Sequence, residues 1–143
     1  MNLFLDTSSL VKLYCVEKDS FEVESLISQY EIEHIFLSEL AQIEFPSAIW
    51  KKIRSKELDE EIGKSDIKVF ESDHGKYAWI TVDGSLIEMS KKLIAQYGKN
   101  GLRTLDALQL ASAVSVRKEA ELYHTSDILL KKLFEEEGLI KNK

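Results

Sequence analysis

Cysteine is almost absent from this chain: Cys15 stands alone among 143 residues. A single cysteine excludes an internal disulfide and a cysteine-based zinc site, and it fits a reducing compartment. Proline is as scarce, with Pro46 alone, and only six glycines are present. No Pro-, Gly- or Ser-rich linker, repeat or low-complexity tract divides the chain, so it reads as a single domain over residues 1–143. No apolar run approaches the ~20 residues that a membrane helix needs. The start, Met1-Asn2-Leu3-Phe4-Leu5-Asp6, lacks the basic region of a signal peptide. Together these absences predict a cytoplasmic protein with no membrane partner. An excess of positive charge is missing too, since the formal net charge is −6. That argues against a nucleic-acid binder that is basic over its whole surface, while leaving room for a local basic groove beside an acidic, metal-holding centre.

What is present suits a packed globular core: 44% hydrophobic and 31% charged residues. A chain of this length buries roughly 68–70% of its unfolded surface. Four short apolar runs read as strands: Leu3–Leu5, Ile35–Leu37, Trp79–Val82 and Leu122–His124. Leu139-Ile140 is a candidate edge strand. Helical patterns lie between them. Thr7-Ser8-Ser9 offers caps for a helix through Tyr14, and Phe21–Tyr30 forms a second with Phe21, Val23, Leu26 and Ile27 inward. Ser38 caps a helix to about Arg54, and Pro46 inside it predicts a kink or a shifted start. A charged helix spans Leu58–Asp73, and one capped by Asp83 or Ser85 runs to Tyr97, before the break at Gly98-Lys99-Asn100-Gly101. Thr104–Val116 is apolar on most sides, and Ser126 caps a last helix that Gly138 ends. Short strands alternating with helices indicate an α/β fold around a mainly parallel sheet.

Most of the 25 acidic residues lie on polar faces or in charge runs. Four do not. Asp6 ends an apolar strand, where α/β folds bind ligands, although it could equally cap the next helix. Glu44 sits among Leu40, Ala41, Ile43 and Phe45, either as a buried acid needing a partner or as a rim residue beside Pro46. Asp106 enters the most apolar helix, where a bare carboxylate is costly unless it serves the positive helix end. Asp127 follows the fourth strand in a run full of cap formers. Parallel strands collect Asp6 and Asp127 at one end of the sheet, which Glu44 and Asp106 can approach from helices. Carboxylates gathered there repel one another, so they take up protons or a cation, and all-oxygen ligation suits Mg²⁺ or Mn²⁺. Thr7, Ser8 and Thr125 supply hydroxyls nearby.

Four segments carry a resemblance to a known family. They are Leu5-Asp6-Thr7-Ser8-Ser9-Leu10-Val11-Lys12-Leu13-Tyr14, Ala41-Gln42-Ile43-Glu44-Phe45, Leu102-Arg103-Thr104-Leu105-Asp106-Ala107-Leu108-Gln109-Leu110-Ala111-Ser112-Ala113 and Thr125-Ser126-Asp127-Ile128-Leu129-Leu130. In this order they resemble the PIN-domain ribonucleases of the VapC toxin type. The resemblance implies a three-layer α/β/α sandwich and an endoribonuclease dependent on one or two Mg²⁺ or Mn²⁺ ions. It implies that Asp6, Glu44, Asp106 and Asp127 are the acidic metal and catalytic positions, with Ser8 and Thr125 as hydroxyls beside the first and last. It also implies an RNA substrate, a homodimer and a cognate antitoxin partner.

Substrate binding then needs local positive charge. Lys12, Arg103 and Lys99 are the nearest candidates by sequence, and Lys51, Lys52 and Arg54 extend a groove or form a solvated face. Tyr14 and Trp50 serve as stacking platforms or as packing. His34, His74 and His124 have no motif partners, no Ser–His–Asp or Cys–His spacing is present, and Cys15 falls on an apolar helix face. Phosphotransfer on Asp6 is disfavoured, because no acid stands two residues later. Two alternatives remain: an RNA-processing nuclease that is not a toxin, and a catalytically silent binding module with the same fold.

Overall fold

The computed structural model describes residues 1–17 and 20–141. Its elements follow the order β1 (Asn2–Leu5), α1 (Thr7–Tyr14), α2 (Ser20–Gln29), β2 (His34–Ser38), α3 (Ala41–Arg54), α4 (Glu60–Ser72), β3 (Ala78–Ile80), α5 (Gly84–Tyr97), α6 (Thr104–Ser115), β4 (Leu122–His124) and α7 (Ile128–Glu136). The four strands form one sheet in the order β3-β2-β1-β4. Every pairing is parallel, with Phe4 opposite Phe36 and Tyr123, and Leu37 opposite Trp79.

Side-chain alternation along β1 builds two cores. Leu3 and Leu5 point to one face, where they pack with Leu10, Val23, Leu37, Phe45 and Phe70 from α1 to α4 and β2. Phe4 points to the other, against Leu110, Leu133 and Phe134 from α6 and α7. All three β1 residues are almost fully buried, as expected of a parallel strand with helices on both faces. This is the α/β/α sandwich expected from the sequence. Cys15 belongs to the first core. Among the described residues, no helix is long and apolar enough to cross a membrane.

Parallel pairing puts the carboxyl ends of β1 and β4 side by side, and the Asp6 N–H reaches the His124 carbonyl at 3.5 Å. On the other side of β1, Glu39 ties the ends of β2 and β3. Its N–H donates to the Ile80 carbonyl (2.8 Å), and its Oε2 accepts from Val82 N–H (2.9 Å).

Several local expectations are corrected. Asp6 itself caps α1, accepting from Ser9 N–H, and Asp127 rather than Ser126 caps α7. Ser38 is the buried last residue of β2, and α3 starts later, at Ala41, and continues through Pro46. Phe21 is 78% exposed, so the inward face of α2 is Val23 with half-buried Leu26 and Ile27. Leu139-Ile140 is not a strand. Gly138 takes a left-handed φ of +73°, and the N–H groups of Leu139 and Ile140 turn back to the Phe134 carbonyl. That closes α7 by the glycine-terminated motif.

Candidate active site

Among the described residues Asp6 is the most enclosed acid, only 2% exposed. The one-residue link between β1 and α1 places it where a strand's carboxyl end meets a helix's N-terminus. Its carboxylate accepts from Ser9 N–H (3.0 Å), the Ser8 hydroxyl (2.8 and 2.9 Å) and the Thr125 hydroxyl (2.6 Å). The Thr125 oxygen also accepts from Asp127 N–H (3.1 Å), and the Ser8 oxygen accepts from Ser126 N–H (3.0 Å). These bonds stitch the end of β1 to the end of β4. Burial pushes the Asp6 pKa up to about 6, outweighing the hydroxyl and amide donors that pull it down.

Glu44 approaches from α3. Its Oε1 accepts from the Thr7 hydroxyl (2.8 Å) and from the side-chain amide of Gln109 (2.7 Å). The same amide donates to Thr7 Oγ1 at 3.1 Å. Burial raises the Glu44 pKa, the two donors oppose the rise, and the charge of Asp106 adds to it. Asp106, half-buried in the first turn of α6, accepts no hydrogen bond among the described residues. Burial raises its pKa, as does Asp127, while Arg103 opposes. Asp127 spends Oδ1 on the Leu130 N–H at 2.8 Å. The sequence left cap and site as alternatives for Asp6 and Asp127; both residues are caps, and both stand at this end of the sheet.

Two clefts meet at Glu44. One, of about 330 Å³, is lined by Glu44, Arg103, Thr104, Leu105 and Asp106. The other, of about 420 Å³, shares Glu44 and Leu105 and adds Thr7, Ser8, Ile43, Lys51 and Arg54. Arg103, Lys51 and Arg54 are exposed there, and Lys99 is exposed on the turn before α6. Lys12 is not an open phosphate contact. It is 6% exposed on the inner side of α1; burial lowers the pKa of His124, and the Lys12 charge adds to that fall. Lys52 turns away to ion pairs with Glu17 and Glu57. Tyr14 is held by Asp73 and Tyr77, a packing role.

Sequence reasoning missed Gln109 and the Ser9–His124 pair, whose Oγ···Nδ1 distance is 2.7 Å. Gln109 had a signal: it is a polar residue one helical turn after Asp106, on a face otherwise apolar.

The donor set suits a hard divalent ion, because it is all oxygen and three of its carboxyls are pushed toward protonation by burial. Among the described residues, however, no three His, Cys, Asp or Glu side chains stand close enough to hold one ion. The arrangement therefore fits an ion held through one or two direct carboxylates with water completing the shell, the usual habit of Mg²⁺. It does not fit a closed protein cage.

The Asp6 environment predicts a pH effect. Its folded pKa of about 6 lies above the ordinary value of 3.8. Between those values the folded state binds the extra proton, so stability falls as pH rises through this window, and the whole penalty is present above pH 6. Acidifying from pH 7 to 4.5 is expected to stabilise the wild type by ~2 kcal/mol relative to Asp6→Asn. Urea denaturation of both proteins at the two pH values measures it; parallel curves would refute the burial penalty.

A family model described as PIN domain matches residues 3–133. Among solved structures, the chain is similar to Mycobacterium tuberculosis VapC20, described as a Sarcin-Ricin loop cleaving toxin. The TM-score is 0.67 at 14% identity, over 92% of this chain and 94% of that one. It is also similar to Rickettsia felis VapBC2 bound to a DNA fragment from its promoter, with a TM-score of 0.60 at 18% identity over 92% of each chain. At these identities the two likenesses speak for the fold. A search of the curated proteins gave no match.

Proposed function

Because the chain belongs to the PIN domain family, we propose that it is a Mg²⁺- or Mn²⁺-dependent endoribonuclease, acting in the cytoplasm as the toxin of a toxin–antitoxin pair. The carrying observation is that Glu44 lines two clefts, one holding Asp106 and Arg103 and the other Lys51 and Arg54, with buried Asp6 and with Asp127 at the same carboxyl end of the parallel sheet, and that burial raises the pKa of Asp6, Glu44 and Asp106. The similarity to VapC20 supports RNA as the substrate, and that to VapBC2 supports an antitoxin partner. The working unit in this proposal is one PIN-like domain over residues 1–143, assembled as a homodimer.

Asp6 and Asp106 would hold the principal ion, with Glu44 and Asp127 completing its shell through water or holding a second. Bound there, a divalent ion supplies water activation and charge neutralisation at a phosphodiester. The chain supplies the rest. Ser8, Ser9 N–H and Thr125 fix the orientation of the Asp6 carboxylate. Thr7 and Gln109 hold Glu44. Arg103 places positive charge on the cleft that contains Asp106, where an RNA phosphate must come.

The test is cleavage of RNA by the purified chain with Mn²⁺ or Mg²⁺. Cleavage that stops on adding EDTA and returns with excess Mn²⁺ is expected. Cleavage indifferent to EDTA would overturn the metal dependence. A chain that neither cuts RNA nor binds either ion would be a silent binding module instead.

A further inference from the structure

We infer that Gln109 is a positioning residue for this site: its side-chain amide fixes one oxygen of Glu44 and leaves the other open to a ligand. The inference rests on the proposed metal-dependent activity and concerns how the chain prepares one of its acids.

Gln109 is 3% exposed in α6, on the turn after Asp106. Its amide orientation is forced by its neighbours. Glu44 Oε1 only accepts hydrogen bonds when ionised, and Thr7 already spends its hydroxyl hydrogen on that same oxygen. Both the carboxylate and the Thr7 oxygen therefore require N–H donors, and Gln109 Nε2 provides them at 2.7 and 3.1 Å. This orientation leaves Gln109 Oε1 buried without a partner among the described residues. An orphaned acceptor weakens the fold. A methionine of the same length would fill the space without that cost, so packing alone gives no reason for a glutamine here.

The placement does have a functional reason. Asp106 and Gln109 lie three residues apart on one helix, so they approach Glu44 from the same side. Asp106 repels the Glu44 carboxylate, and Gln109 holds it. With Oε1 taken by two donors, Glu44 Oε2 has no hydrogen-bond partner among the described residues. A lone carboxylate on α3 would rotate away from Asp106 or take a proton. The Gln109 donors keep it in place beside that charge.

The deciding experiment measures Mn²⁺ affinity by calorimetry on the full chain without RNA. Gln109→Met is expected to weaken Mn²⁺ binding ~10-fold, the usual effect of losing a group that orients a metal ligand, with a melt of each protein to separate this from the stability lost with the two amide bonds. In a Glu44→Gln background, the same change is expected to do nothing more, because Gln109 acts only through Glu44. Unchanged affinity in Gln109→Met, or equal weakening in both backgrounds, would overturn the inference and leave the nuclease proposal standing. Failure of the wild type to bind Mn²⁺ would overturn both. Should Gln109→Met not fold, the wild type answers by NMR. Added Mg²⁺ is expected to shift the Gln109 side-chain NH₂ resonances and leave those of Gln29 and Gln96, exposed on α2 and α5, in place; a silent Gln109 would count against it.

Discussion

Asp106→Asn is expected to abolish RNA cleavage and to leave the fold intact. Asp106 is half-buried, accepts no hydrogen bond among the described residues and feels the charges of Glu44 and Asp127. Its structural value is the favourable charge it places in the first turn of α6, worth ~0.3–1 kcal/mol. Amidation loses that term but also relieves the repulsion, so the melting midpoint should move by no more than ~3 °C. The functional loss is of another order. Replacing a group that merely orients a metal ligand already costs 10–100-fold, so replacing a principal ligand should cost at least ~100-fold. Initial cleavage rates at saturating Mn²⁺, paired with a melt of each protein, separate the two effects. A variant that cuts at a third of the wild-type rate would place the chemistry elsewhere.

The outcome for Asp106 depends on a distinction that sequence could draw for some positions and not for others. Asp106 stood out because its helix is apolar on nearly every side, so a carboxylate there needed a reason. Asp6 and Asp127 were ambiguous for a physical cause. With connections of one to three residues, the end of a strand and the start of the next helix coincide, and one carboxylate can both cap and face the crevice. The bonds to Ser9 and Leu130 N–H show that both do cap. The strands, their parallel pairing and the two-sided cover followed from short apolar runs alternating with helical patterns. What composition hid was three-dimensional. Phe21 reads as inward by periodicity, yet α2 has only a narrow buried stripe centred on Val23. Lys12 reads as a surface cation, yet α1 is packed on so many sides that its stem and charge lie inside. Gln109 was passed over as one polar residue in an apolar helix, because its partners, Thr7 and Glu44, lie 102 and 65 residues away. Only the folded chain brings them together.

Asp6 allows its structural and chemical roles to be pulled apart with two substitutions. Asp6→Ala removes the α1 cap, which costs ~1 kcal/mol. It also leaves the Ser8 and Thr125 hydroxyls without their acceptor in a buried place, where each lost bond costs ~1–3 kcal/mol. Against this, the alanine escapes the burial penalty that holds the Asp6 pKa up to about 6. The net expectation is a loss of ~2 kcal/mol, a large share of the 5–15 kcal/mol that holds a typical domain together. Asp6→Asn behaves differently. Asparagine caps as well as aspartate, its carbonyl accepts one of the three bonds, the hydroxyls can turn to accept from its NH₂, and no charge is buried. It should be at least as stable as the wild type at pH 7. Both variants are nonetheless expected to lose at least ~100-fold in cleavage, because neither presents an anionic oxygen to a cation. Chemical denaturation and cleavage assays on the pair decide the matter. If Asp6→Asn folded and still cut RNA, Asp6 would be a cap and a strand clasp only, and the chemistry would have to rest on Glu44, Asp106 and Asp127.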